Sequence, residues 1–246
     1  MLRQFPATLT LYDRVLDINP NDPDAIALKA RIYQAQGDLQ EAARLLAEID
    51  EQTPNADTFW IKVDQLRFER NYDEVVRLYQ ARLAQFHYAS QLDKCEDQVW
   101  LAFAQRLAGD TAGAKATAEQ ARNVLEPHCG DTPDELRFLV WLSQAYAVME
   151  QKDLALKMAE RVITFWPRAK DPMVGPYHEE ILVFIQTVVG DNTHAISTLT
   201  QLLQTPYDSF LYRPPPITPA LLRLDPIWDP LRADPAFQKL CGEKQP

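Results

Sequence analysis

The side chains with reactive chemistry are few: four histidines and three cysteines in 246 residues. His178-Glu179-Glu180 sets an imidazole beside two carboxylates, the makings of a general acid–base pair. The three are consecutive, however, and they open an apolar-periodic stretch. Carboxylates in the first turn of a helix are favoured by the helix dipole and by solvent, so no catalytic role is expected there. His194 follows the Gly190-Asp191-Asn192 turn and is expected at the surface. The sequence holds no Gly-x-Ser-x-Gly elbow, no phosphate-cradling glycine loop and no His-Glu-x-x-His helix. The chain is therefore read as not an enzyme, with no catalytic residue, no metal site and no cofactor.

The cysteines are placed more informatively than their number suggests. Cys95 is expected just before the first helix of a helical hairpin and Cys129 just after its second, two ends that share an edge. A disulfide needs Cα atoms about 4.4–6.8 Å apart. The possible Cys95–Cys129 bridge therefore stands beside the alternative of two free thiols in adjacent loops, which is the reading preferred. A bridge would point to an oxidising compartment. His87 and His128 fall at the same edge, but the spacing lacks a paired Cys-x-x-Cys unit, so a metal site is not expected. Cys241 is left without a partner.

These residues hang on a recurring element: an apolar-periodic stretch, a turn, and a second apolar-periodic stretch. The turns are centred near Gly37, Arg70, Gly109, Glu150 and Gly190. Five residues after each comes a small side chain, Ala42, Ala114, Ala155 and Ala195, with Val75 in the second hairpin. Close crossing of two helices requires small residues at that point. Residues 5–18 form one further helix with no first-helix partner, its apolar face read as Leu9, Tyr12, Val15 and Leu16. It is either a cap or the continuation of a longer parent chain, and the second reading is slightly preferred. The run Ile181 to Val189 is far too short to span a bilayer and reads as a helix buried between neighbours.

At the other end, Arg213-Pro214-Pro215-Pro216 precedes three Asp-Pro pairs at 225–226, 229–230 and 234–235. Asp is a good N-cap and Pro suits the first helical position, so each pair can start a short helical turn. Leu221, Leu222, Leu224, Ile227, Trp228, Leu231, Phe237 and Leu240 lie among them, too much apolar surface to leave in water. Residues 209–246 are expected to fold over the last repeat as its cap, leaving residues 1–208 as the repeat array.

Ala30, Tyr33, Gly37-Asp38, Ala42 and Pro54 stand at the small, aromatic, turn, small and closing-proline positions of a tetratricopeptide repeat, which residues 23–56 resemble. The resemblance implies an all-α, right-handed α-α superhelix, a solenoid of about five hairpins with a proline-rich C-terminal cap. The turn spacing leaves another hairpin array, of period about 40, open. In a tetratricopeptide stack the first helices line a concave groove. Turn phase places Arg31, Gln34, Trp60, Asp64 and Arg67 there, followed by Phe103, Arg106, Gln144 and Phe184. Rings supply buried area and arginines fork onto carboxylates, which suits a peptide ligand. Trp100 and Trp141 are read as packing residues, and for Trp60 both readings stand. The Lys/Asn pattern of chaperone-tail clamps is missing.

From Ala169-Lys170-Asp171 through Gly190-Asp191 and on to residues 221–237, the sequence also resembles the C-terminal repeat region of a group of bacterial signalling proteins. That likeness covers roughly residues 20–246 and is least regular over 57–130. In those proteins the repeats follow a winged-helix, a serine/threonine kinase or a nucleotide cyclase domain, none of whose signatures occurs here. It implies a sensor or interaction module, in the periplasm if attached through a membrane span and otherwise in the cytoplasm.

Composition agrees with this picture. Apolar residues make up 46% and Gly only 7 residues, as a helical core requires. A net charge of −10 with no basic cluster argues against a nucleic-acid surface. No membrane insertion is expected within this chain. The expected partner is a protein or peptide. The alternatives are a self-associating scaffold, with a homodimer through the N-terminal helix, and a small-molecule-sensing solenoid.

Overall fold

A computed structural model of the chain describes residues 4–50, 53, 55–130, 132–172, 175–207 and 217–242, the side chains of 133–137 excepted. Met1, Pro54 and Arg213-Pro214-Pro215-Pro216 lie outside the described residues. The described residues contain helices and no strand. The helices are α1 (Phe5–Ile18), α2 (Pro23–Gln36), α3 (Leu39–Leu46), α4 (Ala56–Phe68), α5 (Tyr72–Gln85), α6 (Gln91–Leu107) and α7 (Thr111–Leu125). They continue with α8 (Pro133–Val148), α9 (Lys152–Phe165), α10 (Gly175–Val188), α11 (Asn192–Gln204), α12 (Pro219–Leu224) and α13 (Pro235–Gly242).

Among the described residues, the five that adopt positive φ are the five expected turn residues: Gly37, Arg70, Gly109, Glu150 and Gly190. Each closes its first helix with the same pair of hydrogen bonds. The amide of the left-handed residue donates to the carbonyl three residues back, as Gly37 does to Gln34. The next amide donates five residues back, as Asp38 does to Tyr33. This Schellman closure satisfies carbonyls that a helix end leaves bare. It recurs at Arg70/Asn71, Gly109/Asp110, Glu150/Gln151 and Gly190/Asp191, so one backbone device repeats five times. Asp38 and Asp110 then cap the second helices, accepting from Glu41 N and Gly113 N. Ala42, Val75, Ala114, Ala155 and Ala195 are all buried, as the close-crossing argument requires.

The chain divides into two compact units. Unit 1 comprises residues 1–71 and 202–246, and unit 2 comprises residues 72–201. In unit 1, Ile26, Ala27, Ala30, Ala42, Leu45, Leu46, Ile49 and Ile61 form a core against which Leu16, Leu28 and Tyr33 pack. A second cluster joins Phe5, Ile32, Ala35 and Phe68 to Leu221 of α12, with Leu9 and Tyr12 against it. The C-terminal segment, expected over the last repeat, packs on the first hairpin through α12 and α2, and Ile217 N donates to Tyr207 Oη just after α11. Leu221 packs among Phe5, Ile32, Ala35 and Phe68, apolar side chains that α1, α2 and α4 contribute.

Gly37 is needed twice over at this contact. Its φ is +88°, and a Cβ there would sit 3.1 Å from the Cβ of Ala220. α1 differs in one detail from expectation. Leu9, Tyr12 and Leu16 face the core, but Val15 is 42% exposed and shares an outer stripe with Leu11 and Ile18. In unit 2, α10 is buried on nearly every side, as its continuous apolar run implies.

Candidate recognition surfaces

In unit 1 the residues expected in a groove are mostly turned to internal use. Arg31, Gln34 and Arg67 are buried, while Trp60 and Asp64 are half-buried. Gln34 Nε2 donates to Ile61 O at 3.0 Å and to Gln65 Oε1 at 3.1 Å. Arg67 lies between two carboxylates, Nη2 to Asp64 Oδ1 at 2.8 Å and Nη1 to Asp225 Oδ2 at 2.7 Å. Asp225 also N-caps the 3₁₀ turn Pro226–Leu231, accepting from Ile227 N. Burial pushes its carboxyl above the ordinary range, and Arg67 and the Ile227 amide pull it back. The guanidinium and carboxylate are thus taken out of water together and satisfied by each other. Arg67 is therefore not an exposed peptide contact, and its removal would disturb the fold.

Two further bonds fasten the same segment. Thr218 Oγ1 donates to Ala35 O at 2.7 Å, at the C-terminal end of α2. Arg70 forks onto Asp229, with Nη1–Oδ2 at 2.6 Å and Nη2–Oδ1 at 2.9 Å. Arg70 and Arg232 hold the Asp229 carboxyl below its usual range against a smaller upward push from burial. Of the three Asp-Pro pairs, 225–226 and 234–235 start helical turns as expected, Asp234 accepting from Ala236 N. Asp229-Pro230 lies inside the 3₁₀ turn instead, its carboxylate spent on the two arginines.

Unit 2 holds the other four groove residues. Phe103, Gln144 and Phe184 are buried, and Arg106 is half-buried. The Phe103 and Phe184 rings meet edge to face at 4.6 Å, with Trp100 5.9 Å from Phe103 and 6.1 Å from Phe184. Trp100 and Trp141 are half-buried members of ring clusters, Trp141 packing on Phe138 at 5.7 Å. They serve as packing residues, as expected. Trp60 is half-buried as well.

The reactive side chains are accounted for structurally. His178 stacks on Trp166 at 5.1 Å and 13° between planes, and burial lowers its pKa to about 4. It is neutral at pH 7. Glu179 pairs with Arg168. His194 is 73% exposed beside Asp191. Cys95 and Cys129 are free thiols. The sequence put Cys95 before its helix, whereas α6 begins at Gln91 and carries Cys95 buried on its inner face. Its Sγ donates to Gln91 O and Ala121 O, and the Sγ of Cys129 to Leu125 O. Each thiol is thus directed at helix carbonyls. Burial pushes the Cys95 thiol up to about 11.

Sequence reasoning missed the buried pair Arg82 Nε–Asp97 Oδ2, 3.0 Å apart, with Tyr88 Oη donating to the same oxygen at 2.7 Å. The signal available was an isolated Asp on the apolar face of α6. Among the described residues no group of three or more His, Cys, Asp or Glu is placed to hold a metal ion. No described helix is long and apolar enough to cross a membrane.

Comparison with known proteins finds a family match to the first quarter of the chain. No curated protein matches the sequence. A solved structure similar to the chain is the crystal structure of BtubC (BKLC) from P. vanneervenii, with 16% identity and a TM-score of 0.45 over 81% of this chain and 88% of that chain. Residues 2–60 match the tetratricopeptide repeat family, and those residues include the Ala30, Tyr33, Gly37 and Ala42 signature whose geometry is described above.

Proposed function

We propose that the chain is a non-catalytic, protein- or peptide-binding repeat module, the interaction or sensor part of a bacterial signalling or transcription-regulatory protein. Helical-repeat arrays commonly present side chains of successive first helices to a protein partner. The observation that carries the reading here is on α6 in unit 2, where the half-buried Trp100 and Arg106 stand over the buried rings of Phe103 and Phe184. Aromatic and Arg groups are the side chains that anchor protein interfaces. The regulatory context rests on the likeness of residues 169–191 and 221–237 to bacterial regulators. An unbiased peptide-display library, selected on the full chain and checked by fluorescence anisotropy, tests the binding reading. Failure to select any saturable binder refutes it. The coding region next to residue 1 tests the context, where an in-frame kinase, winged-helix or cyclase domain is the expected result.

One observation favours a second reading, self-association. Leu11, Val15 and Ile18 are 59%, 42% and 87% exposed and recur at helical spacing on the outer side of α1. A second copy of α1 is the occupant that this stripe would take, and light scattering across a concentration series decides it.

A further inference from the structure

Residues 217–242 form a small module with bonds of their own. α12 packs on α13. Arg223 Nη1 donates to Cys241 O, Arg232 Nη2 to Asp225 O at 3.2 Å and Gln238 Nε2 to Arg232 O at 3.0 Å. Trp228, Leu231, Phe237 and Leu240 are buried.

The module is held on the first hairpin and α4 by side chains far from it in sequence. Thr218 bonds to Ala35 O, Asp225 to Arg67 and Asp229 to Arg70, partners 158–183 positions away. Leu221 packs against Phe5, Ile32, Ala35 and Phe68. Nothing in these contacts depends on which chain supplies the module. They are complementary and not self-complementary: one side supplies two guanidiniums, the other two carboxylates and a leucine. Two hairpins therefore do not pair through this surface, and neither do two modules. The receiving side also has a core of its own. Ile26, Ala30, Ala42, Leu45, Leu46 and Ile61 belong to a cluster drawn wholly from residues 16–61. A hairpin whose module has left thus keeps its shape and stays open to another.

We propose that this contact is exchangeable between copies of the chain: the C-terminal module of one copy docks on the first hairpin of a second, and the second returns its own. The partner is a second copy, met through α2, α4 and residues 217–231 and not through the outer stripe of α1. Exchange of an element that already fits is a low-cost route to a symmetric pair, since each copy regains the same bonds at Ala35, Arg67 and Arg70. In the single chain the tether keeps the module at an effective concentration of about a millimolar. The exchanged pair therefore forms when modules are released in concentrated protein. It persists on dilution, because return requires both modules to undock again.

Two full-length variants test the exchange. Leu221→Asp spoils the module and leaves the hairpin, while Arg67→Asp sets a carboxylate against Asp225 and leaves the module. The parent, each variant and a mixture of the two are held concentrated in urea just below the unfolding midpoint, then returned to buffer. Light scattering after size-exclusion chromatography should show dimer for the parent and at least tenfold less for either variant alone. The mixture should give a 1:1 dimer, the intact hairpin of one chain taking the intact module of the other. If Arg67→Asp does not fold, the exposed Arg70→Asp, set against Asp229, takes its place. A parent that stays monomeric at every concentration overturns the proposal. So does a mixture with no more dimer than its components. A parent dimer that Val15→Glu abolishes also overturns it and leaves self-association through α1 standing.

Discussion

Replacing His178 with Phe should abolish a specific part of the protein's acid sensitivity. His178 has a pKa near 4 in the fold, lowered by burial, against 6.5 for the ordinary group. The nearby Asp171 raises it only partly. A lowered folded pKa means the unfolded chain binds the proton more readily. The stability tied to the neutral ring is therefore complete above pH 6.5 and lost as pH falls through the window toward 4. The linkage relation RT ln[(1 + 10^(6.5 − pH))/(1 + 10^(4 − pH))] gives a loss of about 2 kcal/mol at pH 5 and about 3 kcal/mol at pH 4. Phe keeps an aromatic ring on Trp166 and cannot titrate. The assay is urea unfolding followed by circular dichroism at pH 7.5 and pH 5, for parent and variant. Taking each protein's own change with pH removes any contact that the variant loses at both values. The parent should lose about 2 kcal/mol more than His178→Phe. Equal losses would refute the reasoning, showing that the ring is protonated at no cost to the fold.

Four further outcomes follow from the geometry. Asp97→Ala takes the carboxylate from the buried Arg82 guanidinium and should destabilise by about 3–5 kcal/mol, while Arg82→Met with Asp97→Leu should recover most of that, both read from denaturant midpoints. Gly37→Ala should cost clearly more than Gly109→Ala in thermal melts. Both lose a left-handed glycine, worth about 1 kcal/mol, but only the first meets Ala220, at 3.1 Å. Leu221→Ala should cost about 2–5 kcal/mol and slow the return of the first hairpin's protection in hydrogen exchange. Thiol titration should modify Cys129 and Cys241 in the native protein and reach Cys95 only on unfolding, because Cys95 is buried and its pKa is raised to about 11. Intact mass without reductant should show no bridge.

The hairpins were legible because each repeats a local device. A left-handed closure needs a residue that tolerates positive φ, and a close crossing needs Ala five residues on. Both leave marks within a dozen positions of sequence, even where Arg70 and Glu150 stand in for glycine. The docking of the C-terminal segment left no such mark. Its apolar content announced burial, but its partners, Phe5, Ile32 and Phe68, are set by contacts that sequence spacing does not encode. The candidate site was half legible for the same reason. Turn phase put Arg67 and Arg106 in one register, yet could not tell that Asp225 occupies the first and a long backbone contact the second.

The discontinuity of unit 1 has a kinetic side. Its two pieces are separated by the whole of residues 72–201, so the first hairpin is synthesised long before the segment that covers it. At roughly 5–20 residues per second, the surface around Phe5, Ile32 and Phe68 waits about eight to thirty seconds for Leu221. Joining residues 158 apart also carries a loop-closure term of about 4–5 kcal/mol by (3/2)RT ln n, reduced once the intervening helices fold. Completion of unit 1 thus waits until residues 217–231 have been made. A chain that lacks them displays an apolar face that unit 1 otherwise covers, a handle for chaperones and proteases to distinguish the two.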